Sequence, residues 1–476
     1  MGYARDARRV GGAAPHDSAR EVLAATPKLG GGGTRITDWG RLQSASVRRI
    51  VRPRTEDELR QVVRDAARSG SRLAARGVGH GAGGQSFCDN AVVVDMTGLN
   101  RVLHLDEGTP SIRAQAGASW SVLTRVLEPK LLSVTTKQEF DIFTLGGSLA
   151  ANVHGKTIDQ GPLIESVESF RLLKADGELV TVSRSENTEL FSAVLGGYGL
   201  LGIVTDVTLR LVPERLVRKA ELVLSAREDL LHAYVARVGP APRKLPLCYG
   251  FFDARCERGF FVTYEYTDGP PGVPWEALRR DEPKPLLFDA LLGTERIFSR
   301  VRRRALDIMW ATSGKPEVTM RSRRLLLWDK PPRSFQGALL QKYFVPIESF
   351  PEFASRAGAV LARNETDVPV FTNHFRFVPG NDETLLPFAP QDSICLIPCY
   401  LARKGSAAWR AALELVTAAL VEAALELGGR PYLAFDINSS REQFYRAYPR
   451  AAEFFALKRQ HDPDGLFSNR LAEKYA

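Results

Sequence analysis

The 476-residue sequence predicts an α+β fold in more than one part, and three observations carry that prediction. Short strand-like segments mix with helical ones without the regular alternation of a doubly wound parallel sheet. Glycine-rich loops are entered and left by extended chain. After Pro213 the texture changes to basic clusters and aromatic strand candidates. At this length one simple core is too small, so two domains, or one with a large insertion, are expected.

The first element is a helix begun by the capping box Thr55-Glu56-Asp57-Glu58. Leu59, Val62, Val63, Ala66 and Ala67 share one face, and Gly70 stops it. Leu73-Ala74-Ala75 leads into RGVGHGAGGQ (residues 76–85), and 91–96 is a buried strand beyond it. Further strands are expected at 101–106, 111–116, 178–183 and 203–211, with a helix near 120–128. In the second part, strands are expected at 249–252, 260–266 and 371–377, and a long amphipathic helix from Ser406 to Leu427 ends at Gly428-Gly429. Residues 1–33, rich in Ala, Arg and Gly, read as a mobile leader. The organisation is then 34–213, 214–429 and a C-terminal segment 430–476.

A net charge of +9 and a pI near 9.3 favour partners that carry phosphate: nucleotide cofactors, phosphorylated substrates, anionic membrane surfaces or nucleic acid. Cys88, Cys248, Cys256, Cys395 and Cys399 are odd in number and match no zinc spacing, so free thiols in a reducing compartment and no metal are expected. No apolar run approaches the roughly 20 residues of a membrane span, and the N-terminal residues are no secretory signal. A cytoplasmic location is the expectation.

Five glycines in the ten residues 76–85 let backbone N–H groups approach phosphate oxygens without a Cβ in the way. The alternative is a plain turn. Gly79 to Gly84 satisfies G-x-G-x-x-G on paper, but a strand follows where the dinucleotide motif needs a helix, and there is no G-K-[ST]. A second cluster, Gly146-Gly147 through His154-Gly155-Lys156, lies about seventy residues on, and Gly196 to Gly202 offers a third. Two glycine loops, each with a histidine, suit one extended ligand.

Together these segments resemble the FAD-binding (PCMH-type) fold of the vanillyl-alcohol-oxidase superfamily, and are most similar to the decaprenylphosphoryl-β-D-ribose oxidase family. The similarity runs through Trp39-Gly40-Arg41, Ala75 to Gly79, Val94 to Asn100, Thr144 to Lys156 and Leu172 to Glu178, and returns at Gly428 to Ala434, Tyr448-Pro449-Arg450 and Asp462 to Phe467. It implies two FAD-binding subdomains with a substrate-binding cap built on an antiparallel sheet. FAD would lie on Arg76, Gly77, Val78, Gly79, His80, Gly81, Ala82, Gly83 and Gln85, near Thr144, Gly146, Gly147, Ala150 and Asn152, with Ile203 and Tyr432 also lining the flavin site.

His80 departs from the ribose oxidase family, which carries arginine there. It resembles the histidine to which alditol, aldonolactone and cytokinin oxidoreductases attach the flavin 8α-methyl, although Gly81 stands where those have serine. Covalent FAD and a plain loop histidine both stay open at this point. On the substrate side the resemblance implicates His154, Lys156, Gln341, Tyr343, Arg376 and Cys395. Read as a strand, Gln341 and Tyr343 share a face, whereas Asn373 and Arg376 do so only across a bulge. Phe435 replaces an expected lysine, so substrate identity does not carry over.

The resemblance implies an FAD-dependent oxidase or dehydrogenase that oxidises a secondary alcohol of a sugar, polyol, or glycosylated or phosphorylated metabolite by hydride transfer to flavin N5, with oxygen or another electron acceptor. Candidate bases are His154, Tyr343 and, if burial lowers its pKa, Lys156. The basic clusters at 300–304 and 321–324 would steer an anionic substrate, touch a membrane peripherally, or simply be solvated. Amine oxidation of the cytokinin type is the enzymatic alternative. A non-redox nucleic-acid-binding or scaffold protein is a distant one that the glycine loops oppose, so no nucleic-acid partner is expected.

Overall fold

The computed structural model describes residues 34–239, 245–269, 274, 277, 318–325, 338–403, 405–435 and 438–476. The expected leader (1–33) and the basic cluster at 300–304 lie outside the described residues.

The chain begins with a hairpin, β1 (Thr34–Thr37) and β2 (Ser44–Val47). β3 (Arg49–Val51), α1 (Glu56–Arg68), β4 (Leu73–Arg76) and β5 (Val92–Asp95) follow. Their strands form a small parallel sheet in the order β3-β5-β4. Helix α1 covers it through Leu59, Val63 and Ala66, which pack with Val92 and Val94. Thr55 Oγ1 accepts from the Glu58 amide at 3.1 Å, while the Glu58 carboxylate reaches back to the Arg54 amide, one residue before the one a capping box predicts.

Next come β6 (Val102–Asp106), β7 (Ser111–Gln115), α2 (Trp120–Leu127), β8 (Leu132–Val134), α3 (Leu145–Ala150), β9 (Val167–Leu173), β10 (Leu179–Ser183), α4 (Thr188–Val194) and β11 (Ile203–Pro213). The strands make an antiparallel sheet in the order β10-β9-β11-β7-β6, with β8 on the far end of β11. Asp206, buried at its centre, accepts from Arg113 Nε and Arg171 Nε, each at 2.6 Å, and ties three neighbouring strands together. One face packs against α2, α3 and α4 through Trp120, Leu145, Phe170 and Phe191.

The remaining strands are β12 (Leu216–Ala226), β13 (Leu247–Phe252), β14 (Arg258–Thr267), β15 (Val318–Met320), β16 (Ala338–Leu340), β17 (Tyr343–Pro346), β18 (Val370–Val378), β19 (Ser393–Leu401) and β20 (Arg430–Pro431). They form one nine-stranded antiparallel sheet, β15-β12-β14-β13-β18-β19-β17-β20, with β16 also on β19. The helices Arg227–Val238, Phe350–Arg363 and Ala407–Glu426 bury its back through Tyr234, Phe353 and Leu420. The C-terminal helices return to the first part, where the Leu73 amide donates to Leu466 O at 2.7 Å.

Every strand and helix expected from the sequence is present, with ends shifted by at most two residues. The mix of small parallel and large antiparallel sheets is the α+β architecture expected. The basic cluster at 321–324 is neither a steering surface nor a solvated face. Arg321 is buried and donates to Val134 O and Thr135 O, Arg323 pairs with Glu128 at 2.7 Å, and Arg324 meets the Tyr249 hydroxyl. All five cysteines are buried and unpaired. Among the described residues no helix is long and apolar enough to cross a membrane.

The two smaller sheets meet at Gly117, where a Cβ would lie 1.9 Å from Met96 O and 2.6 Å from Leu99 O. Gly117→Ala is therefore expected to destabilise the fold by about 1–3 kcal/mol in urea denaturation followed by tryptophan fluorescence. Gly405→Ala, with nothing within 4 Å of the added carbon, should leave the midpoint unchanged.

Candidate active site

Between the glycine loops and the large sheet runs an open cleft that encloses about 1730 Å³ of free space, its solvent mouth included. Most of the expected FAD-side residues line it: Arg76, Gly77, Val78, Gly79, His80, Gly81, Gln85, Thr144, Gly146, Gly147, Ala150, Ile203 and Tyr432. Ala82, Gly83 and Asn152 do not. Ala82 is core, its amide donating to Ala434 O, and Asn152 Oδ1 accepts from the Ile164 amide at 2.9 Å, a structural brace.

The first glycine loop leaves β4 and passes against the N-terminus of α3. A Cβ on Gly77 would lie 2.2 Å from Thr144 Oγ1, so only glycine permits this approach. At Gly79 (φ 77°) the backbone is left-handed and rests on the buried guanidinium of Arg76. That guanidinium donates to Thr37 O and to Ser86 Oγ, each at 3.3 Å. The amides of Val78, Gly79, His80 and Gly81 have no protein acceptor among the described residues. A row of free N–H groups beside a cation is what a pyrophosphate needs.

His80 lies in the wall, stacked on Trp39 at 4.3 Å and edge-on to Phe143 at 4.9 Å. Both ring nitrogens are buried without a partner. Burial, helped by the Arg76 charge, pushes its pKa down to about 3 and keeps the ring neutral. These free amides and the orphaned imidazole fit FAD. So do the apolar walls of Phe143, Ile203, Tyr432 and Phe435, which suit a flat ring system.

The opposite wall is a buried charged cluster. Glu139 Oε1 pairs with Arg376 at 3.1 Å and with Lys156 Nζ at 3.3 Å. Burial alone would raise the Glu139 pKa, but Arg376 and Lys156 hold the carboxyl well below its usual range. His154 and His374 are kept neutral by burial, the latter with its pKa pushed down to about 3. Lys342 Nζ lies 3.0 Å from His154 Nε2. Among the described residues no group of three or more His, Cys, Asp or Glu is arranged to hold a metal.

Of the residues the sequence placed on the substrate side, His154 and Arg376 line the cleft, whereas Lys156, Gln341, Tyr343 and Cys395 do not. Lys156 stands behind Glu139, its ammonium 5.2 Å from the Tyr249 ring centre. The Tyr343 hydroxyl donates to Gln341 Oε1, and Tyr343 packs on Phe353 under the helices at the back of the sheet. Cys395 is fully buried in β19, and burial pushes its thiol up to about 12. Strand alternation explains the exchange. Leu340 and Lys342, the other parity of that segment, face the cleft instead.

The same rule sorts β18. Its irregularity lies between Val370 and Thr372, too early to bring Asn373 and Arg376 together. Asn373 Nδ2 donates to Asp253 O at 2.7 Å, while His374 shares the cleft face with Arg376. Lys342, His374 and Glu139 were thus missed. The first two sit one and two residues from expected ones, so only the strand parity would have found them. Glu139 carries no sequence signal. Phe435, which stands where a lysine was expected, lines the cleft with its ring centre 5.3 Å from Lys342 Nζ.

Residues 47–183 match a family profile described as FAD binding domain, and residues 263–475 match one described as D-arabinono-1,4-lactone oxidase. The decaprenylphosphoryl-beta-D-ribose oxidase of Mycolicibacterium smegmatis is 26% identical over 92% of this chain and 97% of its own. The L-gulonolactone oxidase of Bos taurus is 24% identical over 93% and 98%. Cytokinin dehydrogenase 7 of Oryza sativa is 33% identical, over only 37% of this chain and 35% of its own. With the FAD-binding domain matched, and with relatives that span nearly the whole chain, this protein is an FAD-dependent oxidoreductase similar to the PCMH-type enzymes.

Proposed function

We propose that the protein is an FAD-dependent oxidase or dehydrogenase that oxidises a secondary alcohol of a sugar, polyol or sugar-derived metabolite. One observation carries the reading: a single cleft joins the free amides of residues 78–81 to the buried polar group of His154, Lys342, His374 and Arg376. The matched profile and the relatives whose names specify ribose or gulonolactone oxidation support a sugar-like substrate. The likeness to the cytokinin dehydrogenase covers only about a third of the chain, whereas the sugar-oxidising relatives span more than nine-tenths of it, which favours the alcohol reading.

FAD, when bound, supplies a two-electron acceptor whose ring N5 takes the hydride. The chain's own residues do the rest. The 76–81 loop and the N-terminal end of α3 bind and orient, and the apolar walls exclude water. Arg376, fixed by Glu139, and neutral His154 and His374 present hydrogen-bonding groups to substrate hydroxyls. In this reading residues 34–213 and 430–476 hold the cofactor and residues 214–429 supply most of the substrate side.

We also propose that His80 bonds covalently to the flavin 8α carbon. Its neutral, unpartnered nitrogens support this, since an imidazole lone pair is the nucleophile such a bond needs. The new N–C bond would replace one C–H bond of the flavin methyl and the N–H bond of the neutral imidazole. Both hydrogens would leave as protons, and the two electrons would pass to the flavin and on to the acceptor that ends each turnover. Acid precipitation of the purified protein should leave the yellow colour in the pellet, and His80→Ala should move it to the supernatant.

For the reaction itself, anaerobic mixing with L-gulono-1,4-lactone, D-arabinono-1,4-lactone or xylitol is expected to bleach the flavin near 450 nm, a band set by the flavin itself. The cytokinin isopentenyladenine is expected to leave it oxidised. Bleaching by the cytokinin alone would overturn the alcohol reading. Re-oxidation by air or only by an added dye identifies the acceptor.

A further inference from the structure

Among the described residues, Lys342 is a cation without a carboxylate partner at the wall of the cleft. Its Nζ is 3.0 Å from His154 Nε2 and 5.4 and 5.3 Å from the ring centres of Tyr432 and Phe435. The titratable and charged groups around it come from every neighbouring segment: Glu139, His154, His374 and Arg376, Cys395, and Tyr432. Glu139, the only carboxylate among them, is bound to Arg376 and Lys156. Buried His154 is neutral, and an ammonium can only donate, so toward the charged form of Lys342 Nε2 accepts the hydrogen bond and fixes where its nitrogen lies.

The other groups are unsuited to take a proton. His154 and His374 have lost their basicity to burial, an arginine does not give up its proton, Tyr343 faces the core, and Lys156 is held by Glu139 outside the cleft. Burial pushes the Lys342 pKa down to about 8, near the working range of a general base.

We propose that the Lys342 amine, positioned by His154, is the base that takes the hydroxyl proton of the substrate as it is oxidised. This rests on the alcohol oxidation proposed above. The O–H proton moves to Nζ and makes it an ammonium. The pair left on oxygen closes the C=O bond, and the carbon's hydrogen leaves with its two bonding electrons to FAD. The substrate loses two hydrogens and two electrons, and the ammonium releases its proton to solvent before the next turnover.

Two measurements on the FAD-loaded full chain test the assignment. The first is competitive labelling with trace acetic anhydride between pH 6 and 11, read by peptide mass spectrometry. It is expected to show Lys342 half-reactive near the pH of about 8 set by its burial, well below the value of about 10.4 for an unperturbed lysine side chain, supplied by an added Nα-acetyl-lysine standard. A half-point at or above that of the standard, or no labelling at any pH, overturns it. The second compares Lys342→Met and Lys342→Arg on a lactone or polyol that the parent protein oxidises. Both are expected to lose kcat about 100-fold or more with flavin content kept, and to lose the rise of kcat/KM through pH 8. Arginine that restores the rate would show that only charge is needed, which overturns the base. If the parent oxidises no alcohol, the functional reading fails by itself, and the labelling still decides whether Lys342 is a basic amine open to the cleft.

Discussion

The site depends on close packing that only glycine allows at two points. A Cβ on Gly77 would lie 2.2 Å from Thr144 Oγ1 and one on Gly117 1.9 Å from Met96 O, while Gly146 packs tightly on Ala116. These contacts draw the loop after β4 and the N-terminal end of α3 onto the same wall of the cleft. They also leave amides pointing into it. An extended anionic cofactor can be held this way because the donors are fixed by the fold before anything binds, so no ordering cost falls on binding.

The far wall works on the opposite principle, that of charge held in a dry place. Lys156 and Arg376 share one carboxylate, Glu139, Lys342 pairs with neither it nor another carboxylate among the described residues, and the two histidines contribute no charge. A buried cation is costly unless paired, so the cluster divides its members. Arg376 and Lys156 pair with Glu139, while Lys342, with no carboxylate partner among the described residues, has its pKa pushed down by burial. One shortage of negative charge thus yields two kinds of group, fixed cations that orient and an amine able to exchange a proton. Phe435 belongs to this wall as well, its ring centre 5.3 Å from Lys342 Nζ.

The nine-stranded sheet brings these parts together. β17, β18 and β19 lie side by side, so Lys342, His374, Arg376 and Ile397 come to one face, although some fifty residues separate the first from the last. The buried Asp206 knot and the Leu73 to Leu466 bond anchor the cofactor side and return the C-terminus to it.

The sequence by itself determined the class of fold, the elements and the cofactor side. Capping residues, alternation and the glycine clusters are local signals: a glycine needed for a close approach is conspicuous wherever it stands, which is why Arg76 to Gly81 and Gly146-Gly147 were legible. Tertiary structure alone decided the substrate side. β17 is buried on both faces, and Gln341 and Lys342 just before it are buried and half-buried, so this segment carries no polar and apolar alternation to say which parity meets the cleft. Gln341 and Tyr343 therefore looked as suitable as Leu340 and Lys342. Glu139 lies in a loop with no periodicity at all, and Arg321 to Arg324 read as a surface patch until Glu128 and the carbonyls of Val134 and Thr135 were seen to enclose it. Which side of a doubly buried strand a residue takes, and which distant carboxylate meets it, is settled by the packing of segments far apart in sequence.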